Sequence, residues 1–357
     1  MRFLTKQNSN KGTRLAIISK YKQNGAALIT VLVIVFVIMA IITNITVENY
    51  RTIRSLSNQK VQEQAQAILV AATSFGRAGL ATSAATSPID TLQDIWAQPF
   101  PKSNVLDDIQ MSGYIVDEQG KFNINDLVSN GMINQTVLNQ FVALLGYLNL
   151  PTAIGYSIAS YMASPQYETD IMNQYTTGTP AYRPAGRPLI DTSELILVKG
   201  MQQDWVYKLS KYITAIPQNI NFSTESINNQ KQPNPISPPI GTGSILVNIN
   251  TAPAEVISAK SGIPLPIAQR IVTTRNVQAF QSTTDITNFL SKNGIILSQS
   301  TNKGTTSIQI NTLTASSQYF TIHAIVDSGD YEFKSVSLVY RQTRNGQWPL
   351  ILWQHPE

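Results

Sequence analysis

Residues Ala26 to Thr43 read AALITVLVIVFVIMAIIT, and only Thr30 and Thr43 in this stretch are not apolar. Wound as a helix, the run spans roughly 27 Å at about 1.5 Å per residue, close to the thickness of a hydrocarbon core. A core helix of a soluble domain is the alternative, but no charge interrupts the stretch and a basic block precedes it. That block carries Arg2, Lys6, Lys11, Arg14, Lys20 and Lys22 and no acid. It holds the N-terminus in the cytoplasm by the positive-inside rule, so everything after Thr43 is expected across the membrane. A cleaved secretory signal has an apolar region of about 7–15 residues followed by an A-x-A-like site. Here the run is longer, and Ile41-Ile42-Thr43-Asn44 offers no such site.

The formal net charge of +5 comes from this block. Without it the remaining bases and acids balance to within about one charge, so the rest of the chain has no electrostatic footprint for nucleic acid. The chain has no cysteine, which excludes thiol catalysis, disulfides and thiolate metal sites. Charged residues make up 13% of the chain, with Asn, Gln, Ser and Thr in their place, and 43% apolar residues suffice for a core.

Beyond the membrane run, Ile45, Tyr50, Ile53, Leu56 and Val61 recur at helical spacing, and no Gly or Pro intervenes before Gly76. One helix is expected from Ala26 to about Phe75, half in lipid and half amphipathic. Pro88 and the Ser/Thr-rich residues 81–91 mark its exit loop. SGYIVDEQGKFNI, residues 112–124, reads as a tight hairpin around Glu118-Gln119-Gly120. Residues Tyr319 to Val326, Tyr331 to Tyr340 and Trp348 to Trp353 alternate between turns at Asp327-Ser328-Gly329-Asp330 and Asn345-Gly346, an antiparallel meander. Between these β regions the patterning is helical: Leu127 to Tyr161, with turns at Asn130-Gly131 and Pro151; Ser193 to Ile213, as two helices around Lys199-Gly200; and Thr251 to Leu290. Residues 218–239 read as a linker. The expected class is α+β, a long helix on a small antiparallel sheet with a large helical insertion.

The junction before the membrane run is specific. Lys22-Gln23-Asn24 ends in Gly25, and the apolar helix starts with Ala26. This resembles a prepilin leader of the type IV pilin superfamily, in which a prepilin peptidase cuts after the glycine and the new N-terminus is N-methylated. The fifth residue after the cut is Thr30, where most pilins and pseudopilins carry Glu. Further on come Gly120-Lys121-Phe122-Asn123-Ile124-Asn125, Tyr182-Arg183-Pro184-Ala185, Ser193-Glu194-Leu195, Val198-Lys199-Gly200-Met201 and Val247-Asn248-Ile249-Asn250-Thr251-Ala252-Pro253-Ala254-Glu255-Val256. In this order, behind such a leader and without the glutamate, they resemble the minor pseudopilin K family of type II secretion.

The resemblance implies a pilin-like fold whose all-α insertion holds modules of the SAM and helix-hairpin-helix kind. It divides the chain into a cleaved leader (1–25), a transmembrane helix (26–44), the first part of a pilin-like core (45–125), the insertion (126–310) and C-terminal core strands (311–357). It implies a single-pass inner-membrane protein with a periplasmic domain, at the tip of the pseudopilus. The implied partners are minor pseudopilins I and J and the major pseudopilin fibre, with no nucleic acid and no catalysis. Family members hold calcium in an acidic loop of the insertion. Here that loop, residues 161–170, keeps only Glu168 and Asp170, with Asp191 and Glu194 further along, and calcium prefers six to eight oxygens.

Residues 250–272 also resemble a helix-hairpin-helix module, with Asn250 or Thr251 as cap of a helix beginning near Pro253. The rival function is therefore a membrane-tethered DNA receptor. DNA-binding modules of this kind present backbone N–H groups to a phosphate from a Gly-apolar-Gly turn. The turn here is Gly262-Ile263-Pro264, and Pro264 has no N–H to offer. A hydrolase is the third reading, but no nucleophile elbow, metal-ligand spacing or phosphate-binding glycine loop occurs. Of the two histidines, His323 reads as a sheet residue and His355 lies near the end of the chain.

Overall fold

The structure is a computed structural model that describes residues 23–106, 109–166, 169–177, 180–217, 244–295, 308–329, 331–342 and 348–357. The chain divides into two units, Met1–Gln64 and Ala65–Glu357. Helix α1 runs from Gln23 to Thr86. In the first unit its side chains are exposed, Leu28 at 69% and Phe36 at 72%, and an 18-residue window reaches a mean hydropathy of 3.1. Among the described residues this is the one helix long and apolar enough to cross a membrane.

In the second unit, Ala65, Leu69, Ala72 and Leu80 of α1 are buried, a single stripe at helical spacing. The sheet beneath has the order β1-β2-β9-β10-β11. Strands β1 (Phe100–Leu106) and β2 (Ile109–Asp117) open it as an antiparallel pair. The helix outlasts its expected end at Phe75 by eleven residues. Gly76 does not break it but lets it close on the sheet, since a Cβ there would meet Ile322 Cγ2 at 2.9 Å. Pro88 stops it, and the exit loop therefore starts only at Ser87.

The expected hairpin at Glu118-Gln119-Gly120 does not form. The Asp117 carboxylate accepts the Gln119 N–H at 2.8 Å and turns the chain into a 3-10 turn, Glu118–Gly120. The next strand, β3 (Phe122–Asn123), leaves the sheet altogether. After a hairpin of β4 (Val128–Ser129) and β5 (Met132–Ile133) come α2 (Gln135–Tyr147), α3 (Ala153–Met162) and α4 (Thr169–Thr176). A 3-10 turn at Thr192–Leu197 replaces the first of the two helices expected after Ser193, and α5 (Gln203–Leu209) is the second. Strand β6 (Ile213–Thr214) then pairs with β3 in parallel. Strand β7 (Val247–Asn248), helices α6 (Ala254–Ser261), α7 (Leu265–Arg275) and α8 (Thr283–Lys292), and β8 (Leu313–Thr314), parallel to β7, complete the insertion.

The insertion is thus not all-helical: among the described residues three two-stranded ladders fasten it, one a hairpin and two parallel pairs that each close one half. Its parallel pairs also reach past the expected limits of 126 and 310, to Phe122 and Thr314. The meander is as expected, with β9 (Tyr319–Ser328), β10 (Tyr331–Tyr340) and β11 (Leu350–Pro356). Strand β9 also pairs with β2, which closes the sheet around the insertion. Strand β1, on which the sequence reading is silent, lies at the sheet edge, where Pro101 and Lys102 are tolerated. The linker 218–239, Glu168 and the Asn345-Gly346 turn lie outside the described residues.

Gly76 and Gly79 of α1 make opposite predictions. Gly79 has nothing within 4 Å of a built Cβ. Gly79→Ala should stabilise the domain by about 0.5–1 kcal/mol through helix propensity. Gly76→Leu should destabilise it by about 1–3 kcal/mol through overpacking against Ile322. Chemical denaturation of the chain from about residue 46 onward checks both signs.

Candidate functional site

The insertion begins and ends on the sheet, and a buried polar knot makes the join. Asp117, at the end of β2, accepts the hydroxyls of Ser317 and Thr251, each at 2.6 Å, and Asn248 Nδ2 at 3.1 Å on the same oxygen. Asn248 Nδ2 also reaches the Asp90 carbonyl at 3.1 Å and Ser317 Oγ at 2.8 Å. Asp90, after the end of α1, accepts the Ser317 N–H at 2.8 Å and Arg341 Nη2 at 2.5 Å. Arg341 donates on to the Ser317 and Leu80 carbonyls and lies 4.6 Å over the Phe320 ring. Five chain segments, from α1 to the end of β10, meet in this hydrogen-bonded network.

A second knot holds the start of the insertion. Lys260 and Asp126, each with a side chain only 1% exposed, pair at 3.0 Å. Asp126 also accepts the Ser244 hydroxyl, the Ile245 N–H at 2.9 Å and Asn123 Nδ2 at 2.8 Å, while Lys260 sits 4.8 Å over the Phe122 ring. A buried pair of this kind adds little net stability, but losing one partner costs about 3–5 kcal/mol, so it fixes geometry.

The two halves of the insertion repeat one plan. Asn125 exchanges hydrogen bonds with the backbone of Leu189, its Nδ2 to the carbonyl at 3.0 Å and its Oδ1 from the N–H at 2.8 Å. Asn250 does the same with Phe280, at 2.9 and 3.0 Å. Just beyond each, an acid three residues past a cap ties back to the backbone. Glu194 accepts the Ile190 N–H at 2.7 Å, and Asp285 accepts that of Gln281 at 2.9 Å. Each half opens on Asn-Ile-Asn and closes on a parallel strand followed by Ala215 or Ala315. Sequence reasoning quoted both segments and missed their equivalence. The shared Asn-Ile-Asn of residues 123–125 and 248–250 was the available signal.

The remaining expected residues resolve as follows. Asn250 and Thr251 do not cap α6. Its N-cap is Pro253, without a side-chain bond, because both side chains are spent on Phe280 and Asp117. Gly262, at φ +73°, ends α6, and Pro264 precedes α7. Lys260 is held by Asp126. Arg275 is buried, donates to the Ile249 and Ala252 carbonyls at 2.6 and 2.5 Å, and burial lowers its pKa to about 10. Both cations are therefore structural and unavailable to a phosphate. Thr30 turns its hydroxyl onto the Ala27 carbonyl at 2.9 Å within its own helix. Gly25 and Ala26 lie in the first turns of α1. His323 is in β9 and His355 in β11.

Asp170 is in the first turn of α4. Asp191 caps the 3-10 turn, and Glu194 is engaged by Ile190, Asp191 and Arg187. Among the described residues no three acids or histidines gather as metal ligands. Asp191 accepts the Ser193 N–H, and Glu194 accepts backbone N–H groups and pairs with Arg187.

A long helix whose exposed apolar first half is long enough to cross a membrane, seated by its second half on an antiparallel sheet that a helical insertion interrupts, is an α+β fold of the pilin-like kind. Residues 120–218 and residues 247–311 match two family models described as type II secretion system, protein K. The chain is similar to the type II secretion system protein K of Pseudomonas aeruginosa, 28% identical over 333 residues that cover 89% of each chain. Its fold is that of a chain in the crystal structure of the GspK–GspI–GspJ complex of enterotoxigenic Escherichia coli. The TM-score is 0.61 and the identity 20%, over 85% of this chain and 99% of the other. Both family models and the Pseudomonas aeruginosa relative are thus described as type II secretion system protein K, and the chain is similar to them along most of its length.

Asp117 carries a testable signature. Its carboxylate meets hydroxyls and amides but no cation, and burial pushes its pKa up from 3.8 to about 6. A carboxyl raised in the folded state stabilises most below its unfolded pKa, and that contribution is lost as pH rises through about 6. The shift corresponds to roughly 3 kcal/mol at 1.36 kcal/mol per unit. The stability of Asp117→Asn relative to the parent should therefore rise by up to that amount between pH 4 and pH 7. A difference that does not vary with pH, measured by urea denaturation, would contradict the assignment.

Proposed function

We propose that the chain is a minor pseudopilin that caps the tip of the periplasmic pseudopilus, with a structural rather than a catalytic role. The observation that carries the reading is the insertion locked into one end of a pilin-like core through buried Asp117, Asn248 and Arg341. In this reading the insertion takes the place where a further subunit would stack, and the exposed apolar part of α1 bundles with the helices of other pseudopilins. Thr30 fits a subunit at the end of a fibre: its hydroxyl is satisfied within its own helix, so it offers no carboxylate to the N-terminal amine of a further subunit.

In this reading a prepilin peptidase cuts after Gly25, Ala26 becomes the methylated N-terminus, and α1 anchors the chain in the inner membrane with the domain from Ala65 in the periplasm. The partners are minor pseudopilins I and J, the components named with the K chain in the E. coli complex of the same fold. The DNA-receptor alternative loses its support to the internal pairing of Lys260 and the burial of Arg275.

Mixing the chain from about residue 46 with the matching domains of pseudopilins I and J on a sizing column tests the partners. A stable 1:1:1 species is expected. Three separate peaks at concentrations well above micromolar would remove the proposed complex.

A further inference from the structure

A cleft of about 270 Å³ lies between the insertion and the face of the sheet turned away from α1. Its floor is Thr321, His323, Val336, Leu338, Trp353 and His355, and its wall includes Asp191, Thr192 and Ser210. Both histidines of the chain are in it. The volume is below that of sites for drug-sized ligands, about 300–1,000 Å³, and suits one long side chain.

The lining is anionic and aromatic. Glu118, Asp191 and Glu357 face it, against Lys121 as the cation. Lys121 is already spent on Glu118, whose two oxygens it meets at 3.0 and 3.1 Å. Asp191 and Glu357 are thus left without a cation in the lining. Trp353 and His355 stack on one another at 4.8 Å with an interplanar angle of 11°, so each ring has one face covered by the other and one turned outward from the pair. His323 stacks on Tyr114 at 4.4 Å, and its Nδ1 is buried without a hydrogen bond, 3.6 Å from Glu357 Oε2. Burial lowers the His323 pKa, so at neutral pH it adds no positive charge.

We propose that this cleft receives the guanidinium of an arginine side chain presented by a partner polypeptide. Asp191 and Glu357 supply the charge, and the Trp353–His355 pair supplies a face for the guanidinium to stack on. A guanidinium is weakly hydrated and planar, so it gains from both contacts, whereas an ammonium gains mainly from the charge. The tip role does not depend on this cleft, and a failure here leaves complex formation with pseudopilins I and J untouched.

The two histidines make the test selective, because every histidine signal reports on the cleft. The full chain, labelled with 13C and 15N at histidine and held in detergent micelles, is titrated with N-acetyl-arginine methylamide and with its neutral isostere, N-acetyl-citrulline methylamide. The arginine probe should shift both histidines saturably at millimolar concentration, and the citrulline probe should be at least tenfold weaker. Glu357→Gln, at a half-exposed position where the fold is not at stake, should weaken the arginine probe about fivefold. Equal response to the two probes, no saturable shift below about 50 mM, or an unchanged affinity in Glu357→Gln would each overturn the proposal.

Discussion

Asp117 is the residue on which the architecture turns. It ends β2, and its carboxylate bends the chain out of the sheet at Gln119 while accepting the side chains of Thr251 and Ser317 from where the insertion's second half starts and where the chain returns. One anion therefore fixes both the departure and the return of a long inserted segment. No cation neutralises it. The hydroxyls and the Asn248 amide carry the charge, and its raised pKa reflects how much of that burden is burial. Arg341, in the same knot, is committed to Asp90. An apolar join could pack as tightly, but buried hydrogen bonds leave few alternative registers, which suits a part whose use is to hold a shape.

The insertion builds its two halves by the same device. In each, the second asparagine of an Asn-Ile-Asn segment holds a distant backbone amide and carbonyl, and a parallel strand pair closes the loop. Parallel pairs of two residues have little stability of their own, and the asparagines hold them where the hydrophobic core of the insertion can form around Phe122, Phe141, Ile257 and Ile271.

The long helix and the C-terminal meander were legible in the sequence because each depends on local periodicity. The apolar run without charge, the alternation from Tyr319 to Tyr340 and the glycine turn between those strands report on neighbours in the chain. The hairpin at Glu118 was misread because its two flanks look like strands locally, while their true partners, β9 and β6, lie far along the sequence. The same holds for Asn250 and Thr251. Their composition suits a helix cap, and tertiary bonds to Phe280 and Asp117 claim them instead. Lys260 and Arg275, in the region that resembles a helix-hairpin-helix, are turned inward by the fold. The order of strand-like and helical patterning already read as an insertion within a small sheet, and family resemblance added that the frame is pilin-like.

The central claim is positional: a rigidly joined insertion makes this subunit a terminus rather than a repeating unit of a fibre. Immunogold labelling of pseudopili with an antibody against the insertion, viewed by electron microscopy, tests it most directly. The account predicts gold at one end of each fibre and none along the shaft. Label distributed along the length would contradict it.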